Sequence, residues 1–258
     1  MKIHSSAIIH PEAQLGKDVE VGPYATIGEH VRLHDGVVIG AHSVIDGWTE
    51  IGESARVFPF CSIGLAPQDL KYKDEPTLVR IGARTVIREF CTIHRGTTMG
   101  GNETVIGTDN FLMAYVHIAH DCQIGNHIII ANAATLAGHI IVEDYALIGG
   151  LTGVHQFVQI GAYAMVGACS AVSQDVPPFV SAVGNRARLF GLNMVGLRRR
   201  GFTPERLRAL KKAYHIMFRS GLSLVEAVQK VQTELSESED ARRLVEFVTR
   251  KSKRGLCR

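Results

Sequence analysis

Residues 116–126 read VHIAHDCQIGN and set His117, His120 and Asp121 within five positions. An imidazole beside a carboxylate suits general-base catalysis: the ring takes a proton near neutral pH, and the carboxylate orients it and stabilises the cation. The same residue types ligate zinc, and similar polarity decorates the turns of many repeats. The elements that carry these side chains decide between the three.

Those elements are repeats. An aliphatic residue returns every sixth position from Ile3 through Ile63, at Ile81, Ile87 and Ile93, and from Ile106 through Val172. Two positions before it stands a small or β-branched residue (Ala7, Ala13, Val19, Ala25), and Gly often follows it (Gly16, Gly22, Gly28, Gly40). Positions two apart share one face of an extended segment, so this pair points inward, and the Gly suggests a permissive corner. The pattern predicts a β-solenoid in which three six-residue sides close a triangular coil of about 18 residues, with coils stacked as parallel strands roughly 4.8 Å apart. Cys61, Cys91 and Cys122 occupy the small interior slot and read as fillers rather than reactive thiols.

Stacking converts sequence distance into proximity. His120, Gly138 and Gln156 fall in one column of the outer surface, and Asp121, His139 and Phe157 in the next. A base, a carboxylate and a backbone N–H one coil up are the parts needed for acyl transfer to a hydroxyl. Zinc is the rival chemistry, since His94, His117, His120, His139 and His155 are numerous. However, His117 and His120 flank the interior Ile118, and a Gly/Gln column supplies no ligand, so no metal is expected. On residues alone, a set of surface polar side chains on a turn stays open.

The register breaks at 65–80 (LAPQDLKYKDEPTLVR) and 95–105 (RGTTMGGNETV), predicting two outward loops. After Val172 the character changes. QDVPPFV marks the exit, Thr203–Pro204 caps a helix with Leu207, Leu210, Tyr214, Met217 and Phe218 on one stripe, Ser223/Glu226 forms a capping box, and ARRLVEFVTR is a third helical segment. The expected organisation is an all-β parallel β-helix over 1–185 followed by a C-terminal α-helical domain over 186–258.

Bulk properties exclude other classes. The net charge of +3 lacks the basic stripe of a nucleic-acid binder, and no apolar run is long enough to span a bilayer. Five cysteines without a CxxC pair argue for reduced thiols, and a cytoplasmic location is expected.

Seven stretches together, PQDLKY, IHRGT, HIAHDC, TLAGH, VHQF, QDVPP and RRRGF, make the chain resemble the UDP-N-acetylglucosamine acyltransferase family, which opens lipid A synthesis. The resemblance covers essentially the whole chain and implies a left-handed coil, although the general crossover rule favours the right hand. It implies transfer of an (R)-3-hydroxyacyl chain from acyl carrier protein to the 3-OH of UDP-N-acetylglucosamine, without a covalent enzyme intermediate. It also implies no bound cofactor, with 4'-phosphopantetheine arriving on the carrier.

The family's catalytic base falls on His120, its assisting carboxylate on Asp121 and its oxyanion amide on Gly138. Its substrate contacts fall on Asp69, Lys71, His117, His139, His155, Gln156, Asn193, Arg199 and Arg200, and it implies a homotrimer with sites between subunits. Arg198, Arg199, Arg200, Arg206, Arg208, Lys211 and Lys212 form a basic set that suits an acidic carrier protein.

Two positions depart from the family pattern. Val195 stands where a Glu is usual, and Ala168 in MVGAC stands where a Gly measures acyl length, implying preference for a somewhat shorter chain. A related glucosamine N-acyltransferase is expected to carry an extra N-terminal uridine-binding domain, whereas here the repeat starts at Ile3. A zinc hydratase and a non-catalytic solenoid are the other classes the scaffold allows.

Overall fold

A computed structural model describes all of residues 1–258. The predicted coil is present: a left-handed parallel β-helix whose three walls are sheets of eleven, nine and eight strands. Lys2 pairs with Glu20 and His117 with Thr135, so strands align one full coil apart. The inward aliphatic column, Ile27, Leu33, Ile39, Ile45 through Val166, is almost wholly buried. Each such side chain contributes on the order of 1.5–3 kcal/mol, which is why the prism stands without helices along its walls. Cys61, Cys91 and Cys122 are free and buried in the same column, as the repeat predicts.

The corners correct the reading of glycine. Left-handed backbone falls three residues after the aliphatic position, on non-glycine residues such as Tyr24, His42, Phe60, Asp121 and His139. The Gly directly after the aliphatic residue is there for space: a Cβ at Gly40 would lie 2.6 Å from the Phe58 carbonyl carbon, and one at Gly82 2.5 Å from that of Gly107. Coil-to-coil approach, not a positive φ, excludes a side chain at these positions.

The two outward excursions are shorter than the register break implies. Leu78–Ile81 and Glu103–Ile106 are strands, pairing with Trp48–Ile51 and with each other. Val79 and Thr104 fill the small interior slot there, so the chain has rejoined the coil by Leu78 and by Glu103, and the loops proper cover 66–77 and 95–102.

The strand Val180–Val183 joins the eleven-stranded wall and Arg188–Leu192 folds back antiparallel on it, carrying strand structure to Leu192. Four helices follow: α1 (Met194–Arg199), α2 (Pro204–Phe218), α3 (Leu224–Glu234) and α4 (Glu239–Thr249). Thr203 caps α2, the Ser223/Glu226 box caps α3 and Ser238 caps α4. The expected stripe of α2 divides among three clusters, with Leu207 and Leu210 packing on Phe179, Leu197 and Phe202. Met217 joins Ala213 and Ile216 in a core with α3 and α4, whereas Tyr214 and Phe218 pack on the end of the β-helix core and close it.

Candidate active site

The turn after the strand His117–Ile118 lies at the corner between the nine- and eight-stranded walls. Asp121 takes the left-handed position there, φ +62°, and His120 precedes it. Nδ1 of His120 is 2.7 Å from Oδ2 of Asp121. An ionised carboxylate only accepts, so this nitrogen carries a proton, and in the neutral ring the free lone pair is on Nε2, the tautomer a general base requires. Asp121 Oδ1 accepts from the backbone N–H of Thr97 at 2.8 Å, and Oδ2 from the Thr97 hydroxyl at 2.7 Å. Asp121's own N–H donates to Thr104 Oγ1 at 2.8 Å.

The expected position on the outer surface needs correction. His120 is 7 % exposed and Asp121 3 %, because the 95–102 loop folds over the corner. Thr97 supplies the clamp, and Gly100 lies so close to the Asp121 carboxylate that a Cβ there would overlap it. Burial pushes the Asp121 carboxyl up, but the hydrogen bonds from His120 and Thr97 outweigh it and hold the group below its ordinary range.

The column neighbours meet as stacking predicts. A Cβ at Gly138 would lie 2.6 Å from Cε1 of His120, so only glycine leaves the ring its place. The Gly138 N–H donates to no protein group, while its carbonyl accepts from Phe157 N. His139 stands edge-on to His120 at 5.0 Å between centroids and stacks on Phe157 at 4.5 Å. Burial lowers its pKa, against the opposing pull of Asp121. His120, Asp121 and His139 bring ligand-type atoms within 4.8 Å of one another. Within the trio, Asp121 Oδ2 is shared between His120 and Thr97 while Oδ1 accepts from Thr97 N.

Behind it, His117 Nδ1 is 2.7 Å from Thr92 Oγ1, and His94 meets His117 edge-on at 5.1 Å. Burial, and then the neighbouring imidazoles of His117 and His120, lower His94 to about 4; its buried Nδ1 has no protein partner.

A cavity of about 940 Å³ opens in front of His120 and Asp121. Asp69 and Lys71 line it from the 66–77 loop, Met99 and Gly100 from the second loop, and His139, Gln156 and Phe157 from the next coils. Lys253, from the C-terminal tail, also lines it.

Comparisons with known proteins agree in kind. The family model "Udp N-acetylglucosamine O-acyltransferase; Domain 2" matches residues 175–257, and the bacterial transferase hexapeptide model matches 12–47 and 103–138. An acyl-(acyl-carrier-protein) UDP-N-acetylglucosamine O-acyltransferase of Thermodesulfovibrio yellowstonii is 55 % identical over 257 residues, covering 100 % of this chain and 99 % of the relative. The chain belongs to the UDP-N-acetylglucosamine O-acyltransferase family. Among solved structures, the UDP-N-acetylglucosamine acyltransferase of Campylobacter jejuni superposes with a TM-score of 0.94 at 44 % identity, covering 99 % of both chains. The UDP-N-acetylglucosamine O-acyltransferase of Moraxella catarrhalis RH4 superposes with a TM-score of 0.97 at 41 % identity, covering 100 % of both chains.

In this acyltransferase the remaining predicted site residues lie away from the His120 cavity. His155 lines a separate groove of about 570 Å³ with Asn185, Arg186 and Arg254. Ala168 is exposed at the corner between the eleven- and nine-stranded walls. Asn193 caps α1 through its side-chain oxygen and donates to the Tyr163 carbonyl, and Arg200 lies over the Tyr145 ring at 4.7 Å, both at the third corner. Arg199 is exposed at the end of α1.

The basic set is smaller than its residue count. Arg206 makes a bidentate pair with the buried Asp240, Arg208 pairs with Glu205, and Lys212 with Glu234. Arg198, Arg199 and Lys211 stay exposed. No helix of the acyltransferase is long and apolar enough to cross a membrane.

Phe157 stacks on His139 as the coil register predicts, whereas Thr97, Thr104 and Lys253 were not legible as site residues. Thr97 lies within IHRGT, so that motif was the available signal for it. Nothing local marks Lys253.

Proposed function

We propose that this enzyme transfers an (R)-3-hydroxyacyl group from acyl carrier protein to the 3-OH of UDP-N-acetylglucosamine, the first step of lipid A synthesis, by direct attack. His120 Nε2 takes the proton of the sugar hydroxyl as its oxygen attacks the thioester carbonyl. The tetrahedral oxyanion accepts a hydrogen bond from the Gly138 N–H. Collapse breaks the C–S bond, and the imidazolium returns the proton to the departing pantetheine sulfur, so no acyl group rests on the enzyme. Asp121 keeps Nδ1–H directed inward and stabilises the imidazolium without taking its proton.

The observation that carries this reading is the 2.7 Å contact of His120 Nδ1 with Asp121, which frees the other ring nitrogen at the wall of a 940 Å³ cavity. Asp69, Lys71, His139 and Gln156 bind substrate within that cavity. His155, Asn193, Arg199, Arg200 and Ala168 lie on other faces, and a homotrimer in the cytoplasm, in which a neighbouring copy brings some of them to it, accounts for their dispersal. The phosphopantetheine arm enters with the carrier, and the exposed Arg198, Arg199 and Lys211 attract the carrier's acidic surface.

The test is turnover of UDP-N-acetylglucosamine with hydroxyacyl carrier proteins, products identified by mass. His120→Ala should lower kcat by about 10²–10⁴ at an unchanged melting temperature. Wild-type activity retained in that variant would overturn the mechanism.

A further inference from the structure

The last eight residues return from the helical domain to the β-helix and are fixed on it. Arg254 Nε donates to the Gln156 carbonyl at 2.6 Å, Asp175 N to Gly255 O at 2.8 Å, and Cys257 N to Asp175 O at 2.9 Å. Cys257 is 1 % exposed. This anchoring holds Lys253 at the wall of the His120 cavity, its ammonium 4.0 Å from the centroid of the Phe157 ring.

Phe157 is itself stacked on His139, so the lysine stands at one end of a column that reaches the Asp121 cluster. Nearby Arg250 is paired with Glu143. Lys253 has no carboxylate partner and is the one cation the tail contributes to this cavity.

A cation on an aromatic face, unpaired, at the wall of a polar cavity is placed to receive an anion. Resting on the acyl-transfer reading above, we infer that Lys253 is a substrate-binding residue that holds a phosphate group, carried either by the sugar nucleotide's diphosphate or by the pantetheine arm. Lys71 faces the same cavity from the 66–77 loop, so the anion lies between a loop lysine and a tail lysine. Because the flanking residues are already hydrogen-bonded to the coil, little backbone freedom is lost when Lys253 engages its ligand.

Lys253→Met keeps the aliphatic stem and removes the charge. With full-length enzyme, KM is measured separately for UDP-N-acetylglucosamine and for the hydroxyacyl carrier. The expected result is a rise of about tenfold for one of the two, with kcat within twofold and recovery in Lys253→Arg. A rise confined to the nucleotide assigns the diphosphate. A rise confined to the carrier, absent when hydroxyacyl-pantetheine without its phosphate is the donor, assigns the arm. Both KM values within twofold of wild type, whether or not the melting temperature falls, would overturn the role and leave a tail that merely packs on Phe157. A drop in kcat alone would overturn it as well, since that effect would act through Phe157 and His139. Failure of the wild-type enzyme to turn over would overturn the acyl-transfer reading and this one together.

Discussion

Asp121 Oδ2 lies 2.7 Å from Nδ1 of His120, its neighbour in the chain, and accepts from the Thr97 hydroxyl at the same distance. One carboxylate therefore sets the tautomer of the base while a loop 24 residues upstream fixes the carboxylate. Asp121→Asn keeps the size of the group but allows its amide to donate toward Nδ1, which places the imidazole proton on the wrong nitrogen. We expect kcat to fall by about 10²–10⁴ with the fold retained, read from steady-state kinetics and circular dichroism.

Gly138→Ala tests the neighbouring coil. The backbone at Gly138 is outside the left-handed region, so alanine is not strained there, but its Cβ would meet His120 at 2.6 Å. The ring must move, and a displacement of that kind costs about 10²-fold in kcat. A crystal structure of the variant should show the imidazole displaced and the coil unaltered.

The buried imidazole of His94 makes stability depend on pH in a definite direction. Its folded pKa of about 4 lies below the unfolded value near 6.5, so between these the unfolded chain binds the extra proton. Stability from this group is complete above pH 6.5 and is lost as pH falls toward 4, by about 3 kcal/mol in all. His94→Phe should lose less stability than wild type across that interval, measured by denaturant unfolding at several pH values.

The dispersal of predicted contacts over three corners predicts complementation. His120→Ala and the double variant Arg199→Ala/Arg200→Ala should each be weakly active, and subunits exchanged between them should recover activity. If one chain supplied a complete site, mixing would give only the average of the two preparations.

By the family resemblance Ala168 adds a methyl at the position that measures acyl length. It is exposed in a single chain, so the methyl crowds an acyl chain only where a neighbouring copy covers that corner, at a cost of roughly 1–3 kcal/mol for one methylene. We expect the enzyme to favour a shorter hydroxyacyl chain, and Ala168→Gly to shift the optimum to a longer one. Competition between carriers of different chain length, read as the ratio of products, measures this directly.

Much of this molecule is decided by its repeat. Placing Ile118 and Leu136 inward in successive coils compels His120 to stand beside Gly138 and Asp121 beside His139, because strand pairing one coil apart leaves no other register. Helix caps at Thr203 and Ser223 were equally readable, being local hydrogen bonds between residues three apart. What the tertiary structure alone decided lies where no period applies. The 95–102 loop buries the His120/Asp121 pair and lends it Thr97, the C-terminal tail brings Lys253 to the same cavity from 96 residues beyond Phe157, and Asp240 withdraws Arg206 from the basic face. Such contacts join segments far apart in the chain through the shape each loop adopts, and side-chain spacing along the sequence encodes neither that shape nor its docking.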